Sequence, residues 1–236
     1  MNLFQNKKID RKIGPKIFDT TTGNNLQNNL KPRLYEDQIN FDRMRMYRLN
    51  RVREQLLQSD IGACILFDPI NIRYATDTRN MSMFTMHTLA RYVFIPVSGP
   101  VFLFDYPKSE HLSKDLCTID EIRVAESWDF FSAGNTVYSN AKKWANGIDN
   151  LMKTYISNNK RLAIDVCDPA GIRCLSDNYH YDLYNAQEFL EKARSIKSDD
   201  ELMCMQASIK TAEKGIALMH EKLQAGMTEE ELWSYL

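Results

Sequence analysis

The strongest constraint on how this chain can fold is an alternation. Short continuous apolar runs, each ended by a turn signal, take turns with stretches in which apolar residues recur every three or four positions. Ala63-Cys64-Ile65-Leu66-Phe67, stopped by Asp68-Pro69, suits a strand buried on both faces. Arg91 to Val97 and Val101 to Tyr106 flank Ser98-Gly99-Pro100 and read as a hairpin. Further strands are expected at Glu121 to Val124, at Arg161 to Val166 and near Tyr181 to Tyr184. Leu49, Val52 and Leu56 form a helical stripe that starts from an N-cap at Asn40 and stops at Ser59-Asp60-Ile61-Gly62. Val137, Ala141, Trp144, Ile148, Leu151 and Tyr155 form a longer one, with Trp144 as a core residue, and a helical stretch follows Pro169. Helices alternating with strands, one hairpin among them, predict an α/β fold: a mixed sheet covered by helices.

The end of the chain carries the sharpest local signal. Ser198-Asp199-Asp200-Glu201 is a capping box, in which the serine hydroxyl and the glutamate each satisfy a backbone N–H of the first turn. Leu202, Met205, Ile209, Ala212, Ile216, Met219 and Leu223 continue the helical period, and Gly226 is expected to cap it. Thr228-Glu229-Glu230-Glu231 repeats the box and opens a second helix with Leu232, Trp233 and Leu236. Two such helices leave apolar stripes uncovered, which calls for another domain or another chain.

At the other end, residues 1–42 are rich in Asn, Lys, Gly and Thr and read either as a loose arm or as a segment that orders on a partner subunit. Arg43, Arg45, Arg48, Arg51 and Arg53 crowd one helix and admit two readings, an anionic partner or a solvated face paired with acids. Asp42 and Glu54 interrupt the run, and the net charge is -1, which favours the paired face. The same charge argues against nucleic acid as a partner. No apolar run approaches the roughly 20 residues that span a bilayer, and no apolar segment follows the first lysines as in a secretory signal, so the cytoplasm is the expected location. Five cysteines form no Cys-x-x-Cys pair, and Cys64 and Cys167 fall in apolar strand-like runs as small buried hydrophobes.

Chemistry-bearing motifs are absent: no phosphate loop, no His-Glu-x-x-His, no Gly-x-Ser-x-Gly and no paired-cysteine zinc site. His87, His111, His180 and His220 are scattered without metal-ligand spacing and read as surface or structural residues. The segment Phe67 to Asp77 concentrates polar and aromatic groups past a strand's carboxyl end, where open α/β sheets place ligands. Its structural reading is stronger: Asp68-Pro69 makes a turn, Asn71 caps a short helix, and Arg73 ties the turn to a carboxylate.

The run Asn71-Ile72-Arg73-Tyr74-Ala75-Thr76 after an apolar strand resembles the amino-terminal domains of the creatinase, prolidase and aminopeptidase P group of pita-bread enzymes. Lys192 to Leu202 resembles the group's passage into its catalytic domain, and Gly226 to Leu232 is similar to its Gly-x-Thr-Glu pattern. Phe67 to Asp77, continuing through Asn80-Met81 to His87 and Arg91, is most similar to the dimethylsulfoniopropionate lyase branch. The resemblance covers about residues 43–236.

It implies three parts: an arm (1–42), a creatinase-like α/β domain (43–194) and the first helices of a pita-bread catalytic domain (195–236), within which the chain is expected to break off. It implies a metal-dependent lyase forming acrylate and dimethyl sulfide, with Xaa-Pro dipeptidase or aminopeptidase chemistry, or a stand-alone dimerisation module, as alternatives. Homodimerisation and a small-molecule or peptide substrate come with it. The group's divalent metal ligands lie beyond these residues, so this chain is expected to bind no metal, to supply no catalytic residue and to be inactive by itself. Phe84 and His87 are the candidates for the substrate-pocket edge. Phe84 stands where the lyase branch is expected to carry tryptophan, whose face attracts a sulfonium cation more strongly.

Overall fold

All six expected runs form strands of one sheet. The computed structural model describes residues 38–157 and 159–236; residues 1–37, most of the predicted arm, lie outside them. The strands are β1 (Ala63–Leu66), β2 (Tyr92–Pro96), β3 (Phe102–Asp105), β4 (Glu121–Val124), β5 (Arg161–Ile164) and β6 (Asp182–Asn185), in the order β4-β3-β2-β1-β5-β6. Only β2 runs against the rest: it pairs antiparallel with β1 and β3, while β3–β4, β1–β5 and β5–β6 are parallel. The carboxyl ends of five strands therefore share one edge. Gly99, at φ +101°, turns the β2–β3 hairpin through a conformation that side chains resist.

The helices are α1 (Phe41–Gln58), α2 (Pro69–Thr76), α3 (Ser82–His87), α4 (Phe130–Ala133), α5 (Val137–Tyr155), α6 (Pro169–Tyr179), α7 (Ala186–Ser195), α8 (Asp199–Lys222) and α9 (Glu229–Trp233). The pleat sends alternate side chains to opposite faces. Ala63 and Ile65 join Tyr92, Phe94 and Phe102 under Trp144 of α5 and Leu175 of α6. Cys64 and Leu66 join Val93, Ile95 and Leu103 under Leu49 of α1, Ile72 of α2 and Leu190 of α7. The result is a three-layer sandwich. Phe67 locks one layer with its ring 5.8 Å from Trp128, edge-on, and 5.1 Å from Tyr92.

Local capping follows the sequence with two corrections. Asn40 caps α1 as expected, accepting from Arg43 N at 2.9 Å. Asp68, not Asn71, caps α2, accepting from the amides of Ile70 and Asn71 with Pro69 in the first turn. Both terminal capping boxes form, but α8 stops at Lys222 because Leu223 is already extended, and Gly226, at φ +91°, lies in the turn that follows. Cys64 is buried in β1, whereas Cys167 falls past the end of β5 and is only partly buried.

The arginines of α1 are a paired face. Arg43 meets Asp200, Arg45 meets Asp42 and Asp77, Arg48 meets Glu201 and Arg51 meets Glu54, all at 2.7–2.9 Å, while Arg53 donates to the Pro96 carbonyl at 3.2 Å. Among the described residues no helix is long and apolar enough to cross a membrane.

Phe67→Ala leaves a void among three aromatic neighbours. It is expected to lower unfolding free energy by about 3–5 kcal/mol, read as a fall in the urea midpoint at unchanged slope.

Candidate functional site

Two clusters form at the edge where the strands' carboxyl ends gather. The first is a structural tie. Asp165, just past β5, accepts the backbone N–H of Phe67 at 2.8 Å, of Asp68 at 3.1 Å and of Val166 at 2.7 Å, and the Asn71 amide at 3.0 Å. The same amide group reaches Gln187 of α7 at 2.7 Å, and the Asn71 carbonyl oxygen accepts from Arg194. Tyr74 lies between two guanidiniums, with Arg194 at 5.2 Å and Arg48 at 5.6 Å from its ring centroid. Burial, then the nearby Glu201 carboxylate, push its phenol up to about 12.

The structure thus brings the Asn71-to-Thr76 run and the Lys192-to-Leu202 run together, with Asn71 and Arg194 holding one to the other, while the buried Tyr74 hydroxyl has no hydrogen-bond partner. Arg73 is exposed, and the tie to a carboxylate expected of it is made instead by the Asn71 amide and the Phe67 and Asp68 backbone N–H groups, which donate to Asp165.

The second cluster is a cleft of about 270 Å³ beyond the ends of β3 and β4. Its foundation is the Arg91–Asp105 ion pair at 2.9 Å, with both side chains 1% exposed. Burying such a pair costs desolvation unless the remaining donors and acceptors are also satisfied. Here Arg91 also donates to the Thr78 hydroxyl at 2.6 Å, and Asp105 accepts from Asn80 at 3.0 Å and from its neighbour's amide, Tyr106 N, at 2.8 Å. That pair fixes where the chain leaves β3 and where α3 begins.

Phe84 of α3 then stands at the lip, its ring 6.1 Å from Tyr106 and 6.1 Å, edge-on, from Phe131 of α4. Val124, Ala125 and Ala90 complete an apolar lining. Asp129 caps α4; burial works to raise its pKa, but hydrogen bonds from Ser127 and Ser132 outweigh that and hold it below the usual carboxylate range. Three aromatic rings around one space suit an apolar or soft cationic group.

Of the two residues singled out in the sequence, Phe84 lines the cleft. His87, one turn further along α3, is exposed and does not line it. Tyr106 and Phe131 escaped the sequence reading; the one signal was that Tyr106 directly follows a strand's carboxyl end. Among the described residues no three His, Cys, Asp or Glu side chains are grouped to hold a metal ion. The described residues thus offer no ligand set for the divalent metal ions that the resemblance implies.

The architecture defines a class: a mixed α/β domain with helices on both faces, an aromatic cleft at its strand ends and a polar tie into a following helical segment. The chain belongs to the creatinase/prolidase N-terminal domain family, whose profile matches residues 48–196. It is 29% identical over 98% of its length to the dimethylsulfoniopropionate lyase DddP of Roseovarius nubinhibens, of which it covers 55%. Its fold is similar to that of the prolidase from Thermococcus sibiricus (TM-score 0.58, 18% identity, 81% of this chain and 48% of that one). The Xaa-Pro dipeptidase from Bacillus anthracis is similar too (TM-score 0.57, 16% identity, 80% and 47%). The chain spans about half the length of the curated relatives it matches.

Asp165→Asn keeps the shape of the tie but removes one of its two strong acceptors. It is expected to cost about 1–3 kcal/mol at neutral pH through amides left unpaired. Burial raises the Asp165 pKa against the opposing hydrogen bonds from Phe67, Asn71, Asp68 and Val166. A carboxyl whose folded pKa exceeds its unfolded value contributes most stability when protonated, and that part is lost as pH rises through the folded pKa. Urea midpoints taken from pH 4 upward should therefore show this decline in the wild type and lack it in the variant.

Proposed function

We propose that this chain is the amino-terminal part of a metal-dependent pita-bread enzyme of the dimethylsulfoniopropionate lyase type, serving dimerisation and closing over the substrate pocket. The reaction proposed is cleavage of the sulfonium substrate to acrylate and dimethyl sulfide. The observation that carries this reading is the likeness to the lyase along nearly the whole chain. The position of Phe84 at the lip of an aromatic cleft supports it, because ring faces attract a sulfonium centre. The divalent metal ions are proposed to be held outside residues 1–236, with the enzyme working as a cytoplasmic homodimer on a small molecule. In this reading the residues described here exclude water and orient substrate; none transfers a proton. A second reading, Xaa-Pro peptidase chemistry, is favoured by the fold shared with the prolidase and the dipeptidase.

The purified 236-residue chain should release neither dimethyl sulfide from dimethylsulfoniopropionate nor proline from Xaa-Pro dipeptides, with or without added divalent metal. Turnover in either assay would refute the non-catalytic assignment. In the enzyme that joins this domain to its metal-holding part, Phe84→Ala should raise KM for the sulfonium about threefold or more and Phe84→Trp should lower it, with kcat little changed. A KM indifferent to both substitutions removes Phe84 from the pocket edge.

A further inference from the structure

Between α7 and α8 the chain passes through Ile196 and Lys197, which are exposed, with Ile196 in extended conformation. Upstream, α7 is held to the body by its buried Phe189, Leu190 and Ala193 and by the Arg194–Asn71 hydrogen bond. Downstream, α8 is held differently. Leu202, Met205, Ile209 and Ile216 of its apolar stripe are each about half exposed, so little apolar surface fastens the helix to the sheet.

The residues that do dock are acidic. Asp200 and Glu201, in the first turn of α8, are 1% and 6% exposed. Asp200 takes two hydrogen bonds from the Arg43 guanidinium, at 2.7 and 2.8 Å, and a third from Asn40 N at 3.1 Å. Glu201 divides its two oxygens: Oε1 accepts from Arg48 at 2.7 Å, while Oε2 accepts from the Ser198 amide at 2.8 Å and so caps its own helix. One carboxylate therefore starts α8 and docks it. The remaining ties to α1 are the Tyr47 hydroxyl, which donates to the Ile196 carbonyl at 3.1 Å, and the Cys204 thiol against the Met44 sulfur at 3.9 Å. Beyond it the helix is exposed for most of its length, with Gly215 covered by Leu236 from past α9.

We infer that a two-arginine latch, Arg43 on Asp200 and Arg48 on Glu201, sets the angle at which α8 leaves the α/β body, and that residues 196–198 are the hinge it locks. The bidentate Arg43–Asp200 pair fixes direction as well as distance, which apolar contact of this extent does not, and the single Arg48–Glu201 bond adds a second point of attachment. With the latch closed, whatever lies along the exposed face of α8 has one orientation relative to the aromatic cleft. With it open, α8 and α9 move together as a helical pair. This device is independent of the proposed reaction and holds for a lyase or a peptidase alike.

The test is a distance distribution between nitroxides carried at Gln58 on α1 and Lys214 on α8, attached through non-natural ketone side chains so that the five native cysteines stay untouched. The 236-residue protein should give one narrow distribution. The double variant Arg43→Gln/Arg48→Gln should broaden it at least twofold with the circular dichroism of the body unchanged. Arg51→Gln, whose partners Glu54 and the Ala193 carbonyl lie on α1 and α7, both upstream of the hinge, should leave it narrow. The single variants Arg43→Gln and Arg48→Gln, each keeping half the latch, are read in parallel in case the double variant does not fold, and each should broaden it partially. A narrow, unshifted distribution in the arginine variants, or equal broadening in Arg51→Gln, overturns the inference.

Discussion

The described part of the molecule depends on one partly buried carboxylate. Asp165 collects backbone amides from the end of β1 and from the chain just past β5, and through Asn71 it reaches α7 and Arg194. Amides at strand ends have no ladder partner and must be satisfied otherwise. Placing an acceptor there lets β1 turn directly into α2, because Asp68 is then free to cap the helix. The cost is a charge taken from water, which four hydrogen bonds offset only in part, so that the carboxyl's pKa stays raised. Asn71, which looked available for chemistry, is spent on holding two distant stretches of chain together.

Among the described residues a cleft lies beyond β3 and β4. There the buried Arg91–Asp105 pair replaces hydrophobic packing as the organiser. It positions α3 so that an aromatic side chain, and not the neighbouring histidine, faces the cleft. Charge serves as scaffold in both clusters and again where α1 meets α8, and the surface left for a ligand is mainly ring faces and aliphatic side chains.

How much of this was legible depended on the range of the interaction. The six strands were readable because each is a short run bounded by turn residues, and α1, α5 and the start of α8 because period and cap coincide. α7 was missed although Asn185 caps it, since its buried residues Phe189, Leu190 and Ala193 make a stripe too short to stand out. α3 was missed because no side chain caps it and six residues hold no period. Asn71 was read as a cap because a local bond is the only kind that a sequence displays, whereas its partners lie about a hundred residues away. The cleft was half legible: Phe84 came from resemblance, while Tyr106 and Phe131 meet it only through the sheet's topology.

The fold is similar to that of prolidases, whereas the sequence likeness along the chain is to the lyase, and it is on the latter that the proposed reaction rests. The central claim is tested most directly by giving the metal-loaded enzyme that contains this domain the two substrates side by side, dimethylsulfoniopropionate and an Xaa-Pro dipeptide. Headspace dimethyl sulfide and free proline are then measured from the same preparation. The account predicts sustained dimethyl sulfide release with proline at background. Proline release without dimethyl sulfide would contradict it and make this the amino-terminal domain of a peptidase.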